Sequence, residues 1–398
     1  MHFVTDWVRR IDFEKLREER QKNLQGKMAK HGLDALVAFR VENIKYATDI
    51  HPSWFPSVPI RNGAILKRGG PHPICYVASG NLKHRMATSY WMNPEHFYPM
   101  PYMESLDQVK KALPNLKKGF ETLGITKGRV GVDLITLYIL EGLKEILPQA
   151  EFVTGEDCLN DAKLLKNGEE IKCLRVSSTC VDVAMERAKE AVDIGKREGE
   201  ILGEGMYEMY CLGMQFHQGM PFVASGEENL YPLTRFATDR FVRNGELVVL
   251  SFGGYFNGFF SEAKRTVICG KSSDQQKMIY RAVYQAMEGA LETIKPGVQS
   301  EAIVKKIREI FKQNGYEKYM FRHPLAHGIG VGGWEPPFIE AESPGFLLES
   351  GMVLSLEPIL AVPGVSGGGT VAIGNLVAIT DQGNEVLTQC SYDDNLLN

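Results

Sequence analysis

Glu262 and Lys264 stand two residues apart in an apolar segment, 247–267, whose pattern predicts a strand, a turn and a returning strand. Residues i and i+2 of a strand share a face, so carboxylate and ammonium point one way and Arg265 the other. Burying either charge alone is costly, so each must find a partner or solvent. A second cluster runs from His323 through His327 to Trp334 and Glu335, with glycines at 328, 330, 332 and 333. Such glycines let backbone approach a neighbour closely, and His327, just ahead of them, is a candidate acid–base group. Glu357 interrupts the apolar run 352–360, where an unpaired carboxylate would be expensive. A glycine-rich bend at 364–379 enters another strand.

These groups need a scaffold, and the chain divides into two stretches able to build one, 1–154 and 155–398. In the first, helices are expected at 13–32, 105–123 and 136–147 and strands at 36–39, 64–66, 74–78 and 130–132. That alternation predicts a mixed α/β sheet flanked by helices. The segment 51–61, which contains Trp54 and Arg61, is dense in proline and aromatics and reads as a surface loop. In the second stretch, helices are expected at 168–195, 198–217, 273–294 and 299–314, around a β-rich 221–268. Hairpin signals fall at residues 243–245 and at Gly253-Gly254. Two helix pairs beside an antiparallel sheet make an α+β fold.

Composition closes several alternatives. The 398 residues are 44% hydrophobic with a net charge of −4, so large cores are available and no electrostatic footprint for nucleic acid or anionic membrane is expected. The first ten residues are charged and lack the apolar core of a secretory signal, and no apolar run approaches a membrane span. The seven cysteines contain no CxxC pair and are expected to be buried thiols in a cytoplasmic protein.

Taken together, the segments resemble the pita-bread family of methionine aminopeptidase, Xaa-Pro aminopeptidase, prolidase and creatinase. The resemblance rests on Leu164-Leu-Lys-Asn-Gly-Glu-Glu-Ile-Lys-Cys-Leu-Arg175, Val223-Ala-Ser-Gly226, His327-Gly-Ile-Gly330 and Ser355-Leu-Glu-Pro358, in that order. It implies a C-terminal pita-bread domain, with an N-terminal domain similar to that of creatinase and prolidase. The segment 37–48 is also similar to the dimethylsulfoniopropionate lyase branch. Peptidases of the family bind two divalent ions with five ligands. By resemblance those positions fall on Ser251, Glu262, His327, Glu357 and Gly374, so three can ligate and two cannot. Lys264 lies on the face that would point at the ions. An ammonium about 4 Å from a dication is repelled by roughly 8 kcal/mol at an effective dielectric near 20.

These departures lead to the expectation of a metal-independent hydrolase of a C–N bond in a small zwitterion, similar to creatinase or ectoine hydrolase, with no cofactor. His327, Glu262 and Glu357 are then the catalytic residues. His327 acts as acid–base, Glu262 as base or nucleophile, and Glu357 binds substrate cation or orients His327. Lys264, Ser251, Trp334, Tyr231, Trp54, Arg61, His323 and Glu335 are the expected substrate-binding residues. Trp334, Tyr231 and Trp54 offer π faces to a cation. A homodimer would place Trp54 and Arg61 beside the partner's site. Three alternatives remain open: a dimethylsulfoniopropionate-type lyase, an Xaa-Pro metallopeptidase with one divalent ion at Glu262, His327 and Glu357, and a non-catalytic binding protein.

Overall fold

The computed structural model describes residues 10–50, 62–70, 72–133, 135–215, 221–231, 233–321 and 324–398. The chain forms two compact units. One is Asp12–Lys163, and the other is Leu164–Asn398 with Arg10 and Ile11.

The first unit opens with α1 (Phe13–Lys30), capped by the Asp12 carboxylate, which accepts from Lys15 N. Leu16, Leu24 and Met28 are its buried apolar side chains. β1 (Ala35–Ala38), α2 (Val41–Thr48), β2 (Gly63–Lys67), β3 (Ile74–Ala78), α3 (Leu82–Thr88) and β4 (Phe97–Met100) follow. Then come α4 (Leu106–Thr122), β5 (Lys127–Val132), α5 (Leu137–Ile146), β6 (Gln149–Thr154) and α6 (Glu156–Leu164). The strands form one mixed sheet in the order β4-β3-β2-β1-β5-β6, parallel at β1/β5, β5/β6 and β3/β4. α2, α3, β4, β6 and α6 are additions to the elements expected from sequence. α2 is anchored by Asp133, whose carboxylate accepts from the backbone N–H groups of Phe39 and Arg40 and from Asn43 Nδ2.

The second unit begins with α7 (Gly168–Ala191) and α8 (Glu198–Cys211). Both are shorter than expected, because the chain takes a left-handed glycine soon after each, Gly195 and Gly213. β7 (Phe222–Ser225), α9 (Gly226–Leu230), β8 (Glu246–Phe256) and β9 (Phe259–Cys269) come next. β8 and β9 are the two long arms of a hairpin whose turn is Asn257-Gly258, with φ of 48° and 79°. That is the turn chemistry a two-residue hairpin prefers. Gly253-Gly254, expected as a turn, instead lies inside β8. Gly253 pairs across the ladder with Glu262, and a Cβ there would stand 2.9 Å from the Phe260 ring. Residues 243–245 form the tight entry into β8 rather than a hairpin of their own.

α10 (Asp274–Thr293) and α11 (Glu301–Gln313) make the second helix pair. The remaining elements are β10 (Ala326–Gly328), β11 (Glu335–Ile339), β12 (Val353–Leu356), β13 (Ile359–Ala361), β14 (Thr370–Ala372), β15 (Asn375–Thr380), β16 (Gly383–Val386) and α12 (Asp394–Leu397). β11-β10-β12-β15-β16 form an antiparallel sheet. An antiparallel bridge between Lys264 and Gly374 joins β9 to it. Ile279, Val283, Met287, Ile307 and Phe311 of the α10/α11 pair bury against Leu354, Leu356 and Val377 of the sheet. Full burial of each such side chain is worth roughly 1.5–3 kcal/mol. The second unit is α+β, two helix pairs with antiparallel sheet, and the first is mixed α/β, as expected. Among the described residues, no helix is long and apolar enough to cross a membrane.

Candidate active site

Three strands bring the polar groups together. β9 carries Glu262 and Lys264, β10 carries His327 at its centre, and Glu357 directly follows β12. His327 is paired with Ser355 across the β10/β12 ladder, and the Lys264–Gly374 bridge draws β9 against that sheet. One donor atom each from Glu262, His327 and Glu357 lies within 4.8 Å of the others. Solvent hardly reaches them, with side-chain exposures of 0% for His327, 2% for Glu357 and 11% for Glu262.

Lys264 Nζ sits among these groups. It donates to Glu357 Oε1 and lies 3.4 Å from Glu262 Oε2. Ser355 Oγ also donates to Glu357 Oε1, at 3.0 Å. His327 Nε2 is 3.1 Å from Glu262 Oε1 and 3.8 Å from Glu357 Oε1. On the far side of the ring, Nδ1 is 3.2 Å from the Gly328 carbonyl. A carbonyl only accepts, so Nδ1 holds a hydrogen and Nε2 is the nitrogen presented to the carboxylates. Glu262 Oε1 and His327 Nε2 are both buried, and despite their proximity they are not aligned as a hydrogen bond.

Burial alone would pull the His327 pKa down, but Glu262 and Glu357 more than reverse this and raise it to about 10. Burial also works against charge on Lys264, and the same two carboxylates outweigh it, holding the ammonium above its ordinary pKa. The pocket therefore sets two anions against two cations.

Trp334 completes the group. Its ring stacks on His327 with centroids 4.3 Å apart and planes 19° apart, while 49% of the residue stays exposed. Ser251 is buried on β8 as the ladder partner of Lys264. Glu335, at the start of β11, turns its carboxylate to Lys166 Nζ, at 3.8 Å. Tyr231 follows α9, is 48% exposed, and among the described residues makes no hydrogen bond or ring contact with the three donors. Trp54, Arg61 and His323 lie outside the described residues. Ser355 was not anticipated. Its signal was available, since it precedes Glu357 by two in the Ser355-Leu-Glu-Pro358 motif and so shares its side of the chain.

Once His327 gives up its Nε2 proton, an imidazole of settled tautomer and two carboxylates are a donor set suited to a single divalent ion. The unaligned Glu262 Oε1 and His327 Nε2 pair is where that set lacks hydrogen bonds of its own. Among the described residues a second ion is not provided for. Ser251 brings a hydroxyl only, and a side chain at Gly374 would meet Lys264 Cβ at 3.1 Å and Cγ at 3.2 Å.

Comparison with known proteins gives this geometry a context. The profile of metallopeptidase family M24 matches residues 172–381, and that of the creatinase/prolidase N-terminal domain matches residues 20–162. The Xaa-Pro dipeptidase of Pyrococcus furiosus is 30% identical over 364 residues, spanning 90% of this chain and 98% of its own. That of Pyrococcus horikoshii is 28% identical over 93% of this chain and 97% of its own. Among solved structures, the Xaa-Pro dipeptidase from Bacillus anthracis superposes with a TM-score of 0.80 at 24% identity, covering 94% of this chain and 98% of that one. The prolidase from Pyrococcus furiosus gives a TM-score of 0.75 at 25% identity over 92% of this chain and 99% of that one.

These findings correct two expectations. A metal-independent, non-peptidase hydrolase is overturned by the metallopeptidase profile and by relatives of nearly full length that carry the name Xaa-Pro dipeptidase. The expectation of no cofactor is overturned by the same profile together with the converging donors Glu262, His327 and Glu357. Both expectations came from the missing ligands at Ser251 and Gly374 together with Lys264, whose sequence reading fills the ion's space by pairing with Glu262 or Glu357. That pairing is present, and the three donors converge all the same. Hydrolysis of a C–N bond, the coarser form of the expectation, stands.

Proposed function

Because the chain belongs to metallopeptidase family M24, we propose that it is a peptidase of the Xaa-Pro class working with one divalent ion held by Glu262, His327 and Glu357. The observation that carries this reading is the meeting within 4.8 Å of three donors, two on separate strands and one just past the end of a third. The substrate class is taken from the two Pyrococcus relatives named Xaa-Pro dipeptidase, which this chain matches over nearly their full length. An Xaa-Pro dipeptide is itself a small zwitterion.

A bound divalent ion supplies Lewis acidity toward a carbonyl and lowers the pKa of a bound water. The chain's residues do the rest. Gly328 O fixes the His327 tautomer through Nδ1, so that Nε2 faces the pocket. Ser355 Oγ steadies one oxygen of Glu357. Glu262 lies beside Nε2 and is the group to take up and return a proton, while Trp334 covers one face of His327 and excludes water there. The half-exposed Trp334 offers an apolar wall to a proline ring. His323, Ser251, Tyr231, Trp54, Arg61 and Glu335 complete the substrate-binding set in this reading. The protein works as a homodimer in the cytoplasm, where its seven cysteine thiols are at home.

The test is direct. Metal-stripped protein is given Mn2+, Co2+ or Zn2+ and offered Ala-Pro and Ala-Gly. Cleavage of Ala-Pro that depends on the added ion supports the reading. Folded, ion-loaded protein that cleaves neither dipeptide overturns it.

A further inference from the structure

Lys264 is the one residue of the pocket that the peptidase reading leaves without a task, and its surroundings are specific. Its Nζ donates to Glu357 Oε1 and lies 3.4 Å from Glu262 Oε2, so a single ammonium joins both carboxylates of the donor triad. The side chain is 11% exposed, which leaves those carboxylates as its main source of solvation. Its path is enforced on the opposite side by Gly374. The two residues pair as an isolated antiparallel bridge, Lys264 N donates to Gly374 O and Gly374 N donates back to Lys264 O. A Cβ on residue 374 would crowd Lys264 Cβ, Cγ and N at 3.1, 3.2 and 3.2 Å. The stem of the lysine is thus housed by a glycine, and its head sits on the ligands of the candidate ion.

We propose that the Lys264 ammonium is a resident internal cation that holds Glu262 and Glu357 in their ligating arrangement and must be displaced when a divalent ion binds. The inference rests on the one-ion reading above and adds a competition to it. An oxygen of Glu357 that accepts from Nζ cannot at the same time give that lone pair to a metal, and an ammonium and a dication sharing two carboxylates repel each other. The site is therefore assembled before the ion arrives, and it exchanges one cation for another on loading. The consequence is weak affinity for the ion in the wild-type protein, together with an ion-free protein that is stable.

The experiment is calorimetric titration of metal-stripped protein with Mn2+, paired with thermal melting before and after the ion is added. Lys264→Met keeps the stem and removes the charge. Its Mn2+ affinity is expected to rise at least about tenfold over wild type. Its ion-free form should melt below wild type and be restored by Mn2+. Lys264→Arg keeps a cation and should stay as weak as wild type. Equal or weaker Mn2+ affinity in Lys264→Met, or an equal gain in Lys264→Arg, overturns the proposal. Should Lys264→Met not fold, a wild-type crystal soaked in Mn2+ decides the matter. Nζ withdrawn from Glu357 supports displacement, and an ion bound with Nζ unmoved refutes it. Failure of the peptidase reading is seen separately, as Mn2+ bound without cleavage of Ala-Pro.

Discussion

His327 is the residue on which the pocket turns. It is fully buried, held through Nδ1 by Gly328 O, flanked at Nε2 by Glu262, and covered by Trp334. Its replacement by Ala removes a donor and unseats Trp334 together. We expect loss of Mn2+ binding in calorimetry and a fall in Xaa-Pro hydrolysis of at least about a hundredfold. Trp334→Ala keeps all three donors. It should leave Mn2+ stoichiometry unchanged and raise KM for Ala-Pro more than it lowers kcat; an unchanged KM would remove Trp334 from the substrate wall. The principal members of this pocket could be read from the sequence, because a charged residue in an apolar strand advertises a partner, as Glu262, Lys264 and Glu357 each do. Ser355 enters the sequence reading only as part of the Glu357 motif, and its place two residues before that carboxylate is the signal for the hydrogen bond it donates there. Gly374 was noticed only as a missing ligand, since its fit against Lys264 depends on a contact between residues 110 positions apart in the chain.

At the scale of elements, the β8/β9 hairpin sets where Glu262 and Lys264 stand, and its turn sets the hairpin. Gly258 holds a φ of 79°, so Gly258→Ala should cost roughly 1–2 kcal/mol. A melting temperature lower by a few degrees checks this, and an unchanged one would show that the turn does not define the register. Three dipeptides in 221–268 have hairpin chemistry, and Asn244-Gly245 and the less specific Gly253-Gly254 are read as turns ahead of Asn257-Gly258. What separates the last two is the ring of Phe260 opposite Gly253, a cross-strand fact that local pattern does not carry. In the other unit, Asp133 ties the start of α2 to the end of β5. Burial raises its pKa from 3.8 to about 6, against the pull of the N–H groups of Arg40 and Phe39 and of the Asn43 amide. A folded pKa above the unfolded one means that the native state binds the extra proton. The contribution is then complete below about pH 4 and is lost as pH rises through about 6. Urea denaturation followed by a probe in Asp12–Lys163 should show stability falling over that interval by up to roughly 3 kcal/mol. Asp133→Asn should flatten the slope, while losing stability overall because one acceptor becomes a donor.

For the whole molecule, architecture and activity were legible to different depths. The order of helices and strands, and the motifs around His327 and Glu357, sufficed for the pita-bread fold. Short elements such as the exposed α3 and the largely buried β4 escaped, having neither length nor clear periodicity. Activity was harder to read, since the departures at Ser251, Lys264 and Gly374 each argue against metal when taken alone. Only the folded chain shows that Glu262, His327 and Glu357 still converge once those positions have changed. The dimer is tested by light scattering on the ion-loaded protein, where twice the chain mass is expected and a monomer would leave each site to its own chain. The most direct test of the one-ion peptidase is the rate of Ala-Pro hydrolysis measured against Mn2+ bound per chain, read by equilibrium dialysis of metal-stripped protein against rising Mn2+. The rate should rise from near zero and level off at one ion per chain. A rate that is full without added ion, or that levels off only at two ions per chain, would contradict a site built from Glu262, His327 and Glu357 alone.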